Sequence, residues 1–109
     1  AQVIPLCVGN KERSQLAPEF PTISESGLPG YEAYSWSGLY APKGTPQEII
    51  TKLNADINQS LTTKEIAERM NGSGSEPMIM TPEEFGKFTQ DEVIKWRETI
   101  QKANIQVQQ

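Results

Sequence analysis

Only two full strand-like stretches and a short third occur in these 109 residues, too few for a sheet that stands alone in water, where even an isolated hairpin is marginal. The remaining strands of any such sheet must come from elsewhere, either another part of a longer chain or another molecule. The first stretch carries Val3, Ile4, Leu6 and Val8 and ends on Gly9 and Asn10, as a buried strand closing on a turn does. Pro5 has no N–H to give a ladder, which puts that strand at an edge or makes it irregular there. The second covers residues 34–41, where Tyr34, Trp36 and Tyr40 suit a pleated surface and Pro42 with Gly44 stop the run. The third is the short apolar run Met78-Ile79-Met80.

Residues 11–30 read as loop, punctuated by Pro18, Pro21, Gly27, Pro29 and Gly30, with room for a single helical turn over residues 22–26. Helix signals begin later and are written three times. Thr45-Pro46-Gln47-Glu48 makes Thr45 an N-cap, Pro46 the first helical residue and Glu48 the partner closing a capping box. Ile49, Ile50, Leu53, Ile57 and Leu61 then share one helical face. Thr62 and Glu65 repeat the pattern for a shorter helix carrying Ile66 and Met70, which runs out at Asn71 and Gly72. Thr81-Pro82-Glu83-Glu84 writes the signal again. Phe85, Phe88, Val93, Trp96, Ile100 and Ala103 follow in one stripe over about six turns. Glu83 with Lys87, Asp91 with Lys95 and Glu98 with Lys102 support its wet side, and Trp96 reads as a core residue. The order strand, loop, strand, helix, helix, short strand, long helix is that of an α/β protein.

Charge excludes one class of partner. The net charge is −4 with pI ≈ 4.8, and the basic residues are scattered among acids, so no basic stripe exists to neutralise a phosphate backbone and nucleic acid is not expected. No apolar run approaches the roughly 20 residues of a membrane helix. The chain also opens without the basic and apolar regions of an export signal. Cys7 stands alone, so no internal disulfide can form.

Catalysis finds little support. The sequence contains no histidine, so a Ser or Cys nucleophile would need a lysine or carboxylate base, and no spacing suggests one. The acids sit mostly on helix faces beside lysines. Neither a Cys/His cluster nor an Asp-rich calcium loop is present, and no cofactor is expected. Gly72-Ser73-Gly74-Ser75 lacks the Lys-Ser/Thr ending of a phosphate loop and follows a helix, so it reads as a helix stop and connector. The triplets Asn58-Gln59-Ser60 and Asn71-Gly72-Ser73 are short enough to arise by chance. Trp36 between Ser35 and Ser37 is the candidate binding feature: an indole can wall a ligand while flanking hydroxyls supply hydrogen bonds. A core role for Trp36 remains open.

Several segments together resemble a known family. Arg13-Ser14, then Pro21-Thr22-Ile23-Ser24-Glu25-Ser26-Gly27-Leu28-Pro29-Gly30-Tyr31-Glu32, then Trp36-Ser37-Gly38-Leu39-Tyr40-Ala41-Pro42-Lys43-Gly44-Thr45-Pro46 are similar to the C-terminal region of tripartite tricarboxylate transporter receptors, the Bug family. Lys52-Leu53-Asn54, Thr81-Pro82-Glu83-Glu84-Phe85 and Lys95-Trp96 follow in the family's order and spacing. The run Asn71-Gly72-Ser73-Gly74-Ser75 departs from the compact Leu/Gly turn usual there.

The resemblance implies a type II periplasmic binding protein, two α/β lobes around a cleft, of which this chain holds the C-terminal part. Residues 1–34 would end the second lobe. Residues 35–109 would supply a hinge-crossing strand and the helices returning to the first lobe. The implied function is an exported periplasmic receptor, its signal peptide outside this chain, that captures a small carboxylate for membrane permease subunits. The ligand class would be a di- or tricarboxylate, an acidic amino acid or an aromatic acid. It would be held by backbone N–H groups, hydroxyls and ordered waters between the lobes, with the remainder of the receptor chain supplying the other wall. Within these residues only Ser35, Trp36 and Ser37 are cleft candidates, and no catalytic residue carries over. A ligand-sensing module of the same fold, acting through a signalling partner, is the alternative function.

Overall fold

The computed structural model describes residues 2–106, in which three α-helices follow a long non-helical stretch: α1 Gln47–Leu61, α2 Lys64–Gly72 and α3 Pro82–Lys102. The chain divides into two compact units, Ala1–Tyr40 and Ala41–Gln109.

The helical unit begins each element with threonine chemistry, used in different ways. At α3 the Thr81 hydroxyl accepts from the Glu84 N–H at 3.1 Å and the Glu84 carboxylate accepts from the Thr81 N–H at 2.9 Å, with Pro82 opening the helix. That is a full capping box, satisfying two donors that a helix start otherwise leaves without partners. The starts of α1 and α2 fall later than the sequence suggests. Pro46 is the N-cap of α1, and the Thr45 hydroxyl donates back to the Pro42 carbonyl at 2.8 Å. Thr63 is the N-cap of α2. Both Thr62 and Thr63 turn their hydroxyls to the end of α1, donating to the Gln59 and Ser60 carbonyls at 2.7 Å each. A hydroxyl spent on a preceding carbonyl does not cap the next helix.

Past α2, Gly74 takes a φ of 76°. That left-handed step is cheap for glycine, and it lets the Ser75 N–H reach the Met70 carbonyl at 2.9 Å. The Gly-Ser-Gly-Ser run is thus a helix stop. Helix α1 packs on both α2 and α3. It also fastens the connector before α3: the side-chain amides of Asn54 and Asn58 both donate to the Met80 carbonyl, at 2.9 and 3.0 Å.

No β-ladder forms among the described residues. One isolated parallel bridge joins Val8 to Thr22, with the Val8 N–H donating to the Pro21 carbonyl and the Ile23 N–H to the Val8 carbonyl, both at 2.9 Å. The expected strands at residues 3–8, 34–41 and 78–80 are therefore not strands here. Their backbones lack neighbouring strands to pair with, the shortage visible in the sequence.

The same shortage empties the core. Among the described residues Thr22 alone is buried, and no apolar side chain is. On α3, Phe85 and Phe88 are half-buried with stacked rings 6.2 Å apart, while Val93 and Trp96 stay 51% and 44% exposed. The expected core position of Trp96 is not found within this chain, because no sheet covers the stripe. Its indole N–H donates to Glu92 at 3.0 Å and Lys95 sits 5.2 Å from its ring centroid. The α3 ion pairs join Lys87 to Asp91 and Lys95 to Glu92, displaced from the pairings expected from the sequence. The Lys87–Asp91 pair is exposed, and such pairs contribute about 0–1 kcal/mol.

Candidate functional site

The Ala1–Tyr40 unit is organised around Val8 and Gly9. Val8 bonds on one side to Pro21 and Ile23, and the Gly9 carbonyl accepts the Ala33 N–H at 2.9 Å. A Cβ on Gly9 would come within 2.3 Å of the Ala33 oxygen, a distance real side chains do not tolerate. Glycine is therefore required for the close approach of these two backbones. Ala33 stands two residues before Ser35, so the candidate binding stretch leaves directly from an anchored point.

Along that stretch Ser35 and Ser37 are exposed and Trp36 is half-buried. Two hydroxyls flank one indole, an arrangement able to donate hydrogen bonds to a carboxylate while offering an apolar wall. It supplies no general base for a nucleophile. Among the described residues no three His, Cys, Asp or Glu side chains converge as metal ligands, and no helix is long and apolar enough to cross a membrane.

A second polar cluster escaped the reading of the sequence. Arg13 grips Glu25 with its fork: Nε lies 3.1 and 3.2 Å from the two carboxylate oxygens and Nη2 lies 3.0 Å from Oε1. Nη1 donates to the Pro18 carbonyl at 3.4 Å. The Glu25 carboxylate also accepts the Thr22 N–H at 2.9 Å, and the Glu25 N–H donates to the Thr22 hydroxyl at 3.0 Å. These hydrogen bonds, those from Arg13 first and then that from the Thr22 N–H, lower the Glu25 carboxyl from 4.5 to about 2. The signal was present in Thr22-Ile23-Ser24-Glu25, which has the same Thr-x-x-Glu spacing as Thr81 and Glu84. It went unread because no helix follows it.

Solved structures define the class first. Rpa4515 of R. palustris, solved with adipate, superposes with a TM-score of 0.74 at 33% identity, over 92% of this chain and 33% of that one. The periplasmic binding protein BugD superposes with a TM-score of 0.73 at 33% identity, over 94% and 35% of the two chains. The fold is thus part of a periplasmic binding protein, and the α/β class expected from the sequence is that of the complete fold.

The chain belongs to the tripartite tricarboxylate transporter receptor family, whose pattern it matches over residues 2–105. Protein BugT of Bordetella pertussis is 35% identical over 98 residues, covering 90% of this chain and 30% of BugT. A UPF0065 protein from the tcbD-tcbE intergenic region of Pseudomonas sp. strain P51 is 35% identical over 96 residues, covering 87% and 29%. The chain spans about 30% of the length of these curated relatives.

Proposed function

We propose that these residues serve as part of a periplasmic receptor that captures a small carboxylate and passes it to the permease of a tripartite tricarboxylate transporter. One observation carries the reading: the family match runs over residues 2–105, and a superposing relative was solved with a dicarboxylate, adipate. Residues 1–34 belong to one lobe and residues 35–109 lead back to the other, with Ser35, Trp36 and Ser37 beside the cleft between them. Fixed dipoles and bridging waters satisfy a carboxylate without a paired cation. Lobe closure provides the differential contacts that select the bound state. The receptor performs no chemistry on its ligand, in keeping with a sequence free of histidine and of any nucleophile arrangement.

The test is mass spectrometry of small molecules retained by the intact receptor purified from its periplasm. A co-purifying mono-, di- or tricarboxylate released unchanged on denaturation is the expected result. A retained nucleotide, sugar or metal in its place, or a chemically altered carboxylate, contradicts the reading.

A further inference from the structure

We infer that Arg13 and Glu25 form a positioning pair, fixing the backbone that leads into Ser35, Trp36 and Ser37, and that Arg13 is not the counter-ion of a bound carboxylate. The inference rests on the receptor reading. Lys11 and Arg13 are the two basic residues before Ala41, against the acids Glu12, Glu19, Glu25 and Glu32. An anionic ligand held by this stretch would look first to those two cations.

Arg13 is already committed. Three short contacts from Nε and Nη2 fall on the Glu25 carboxylate and the third nitrogen, Nη1, turns to Pro18, a bidentate arrangement that only a planar guanidinium makes. Turning the fork to a ligand would strip the carboxylate of these bonds and leave its charge beside the ligand's own.

The pair leads to the candidate stretch through a continuous run of hydrogen bonds. Glu25 exchanges two bonds with Thr22, the one buried residue among those described. Pro21 and Ile23, on either side of Thr22, both bond Val8, and the neighbouring Gly9 accepts from Ala33. Each step beyond Thr22 is made by backbone groups within the Ala1–Tyr40 unit, so a change at the ion pair reaches the residue two places before Ser35. Gly9 tightens the last step, since its missing side chain lets the Ala33 carbonyl approach closely.

The experiment uses the intact receptor and its variants Arg13→Gln, Arg13→Lys, Glu25→Gln and the exchanged pair R13E/E25R. Amide hydrogen exchange is followed without ligand, and calorimetry with adipate and citrate gives affinity. Arg13→Gln and Glu25→Gln are each expected to speed exchange at the Val8, Ile23 and Ala33 amides by about fivefold, the upper range for an exposed pair. Amides of α3 keep their rates. Affinity should fall in parallel for both variants, less for Arg13→Lys, and recover in part in the exchanged pair. Unchanged exchange at those amides overturns the inference. So does a loss of affinity on Arg13→Gln with none on Glu25→Gln, which would make Arg13 the ligand's counter-ion. A wild-type receptor that binds neither acid rules out those two ligands and leaves the receptor reading to other carboxylates, and the exchange rates then decide the positioning role by themselves.

Discussion

Gly9 and Glu25 show how single residues hold the Ala1–Tyr40 unit together without a core. A methyl group on Gly9 meets the Ala33 carbonyl at 2.3 Å, so Gly9→Ala must push the two backbones apart and break the Ala33 bond. The expected cost in the intact receptor is about 1–3 kcal/mol, as for overpacking elsewhere, read by chemical denaturation. Glu25 gives a pH signature. Its folded carboxyl titrates at about 2, below its ordinary 4.5, so the stabilisation it contributes is present above about pH 4.5 and is lost as the pH falls from there to about 2. Exchange at the Val8 and Ala33 amides, corrected for the intrinsic pH dependence, should accelerate across that window in the wild type. In Glu25→Gln it should be faster already at pH 7 and insensitive to acid. At this scale the sequence was partly opaque: Thr22 and Glu25 stood in view, but their partner Arg13 lies 12 residues before Glu25, and no local pattern announces it.

Helices were the legible elements. The stripes on α1 and α3 and all three helix signals point to real helices, because capping residues and 3.6-residue periodicity are local properties of the chain. Their exact starts were legible only where the threonine hydroxyl had no better acceptor. Thr81 caps α3, while Thr45 and Thr62 turn to carbonyls already exposed before them. Thr81→Ala should therefore cost about 1 kcal/mol, measured by denaturation of the receptor, and Thr45→Ala should cost clearly less. Strands were legible as composition and not as structure. Residues 34–41 have the aromatics and the stop signals of a strand, yet a strand exists only when a neighbour pairs it, and that neighbour is not among the described residues. Ser35, Trp36 and Ser37 inherit this limit: the residues were readable, but the partner their backbone would pair with was not.

The whole molecule explains what the elements leave bare. Val93 and Trp96 on α3 and Ile49 and Leu53 on α1 stay between 44% and 51% exposed, large apolar side chains left about half bare. With the chain spanning about 30% of its relatives' length, the remainder of the receptor is the expected cover. Trp96→Ala should then cost about 3–5 kcal/mol in the intact receptor, and a change under about 1 kcal/mol would make Trp96 a surface residue. The proposed function depends on the same completeness, since a binding cleft would have two walls. Calorimetry of the intact receptor against adipate, citrate and acidic amino acids, with this 109-residue chain run in parallel, tests the account most directly. It predicts saturable one-to-one binding of at least one carboxylate by the receptor, with a Kd of about 1 μM or tighter, and none by the chain alone; a receptor that gives no heat with any of them, or that converts one to a product, would contradict it.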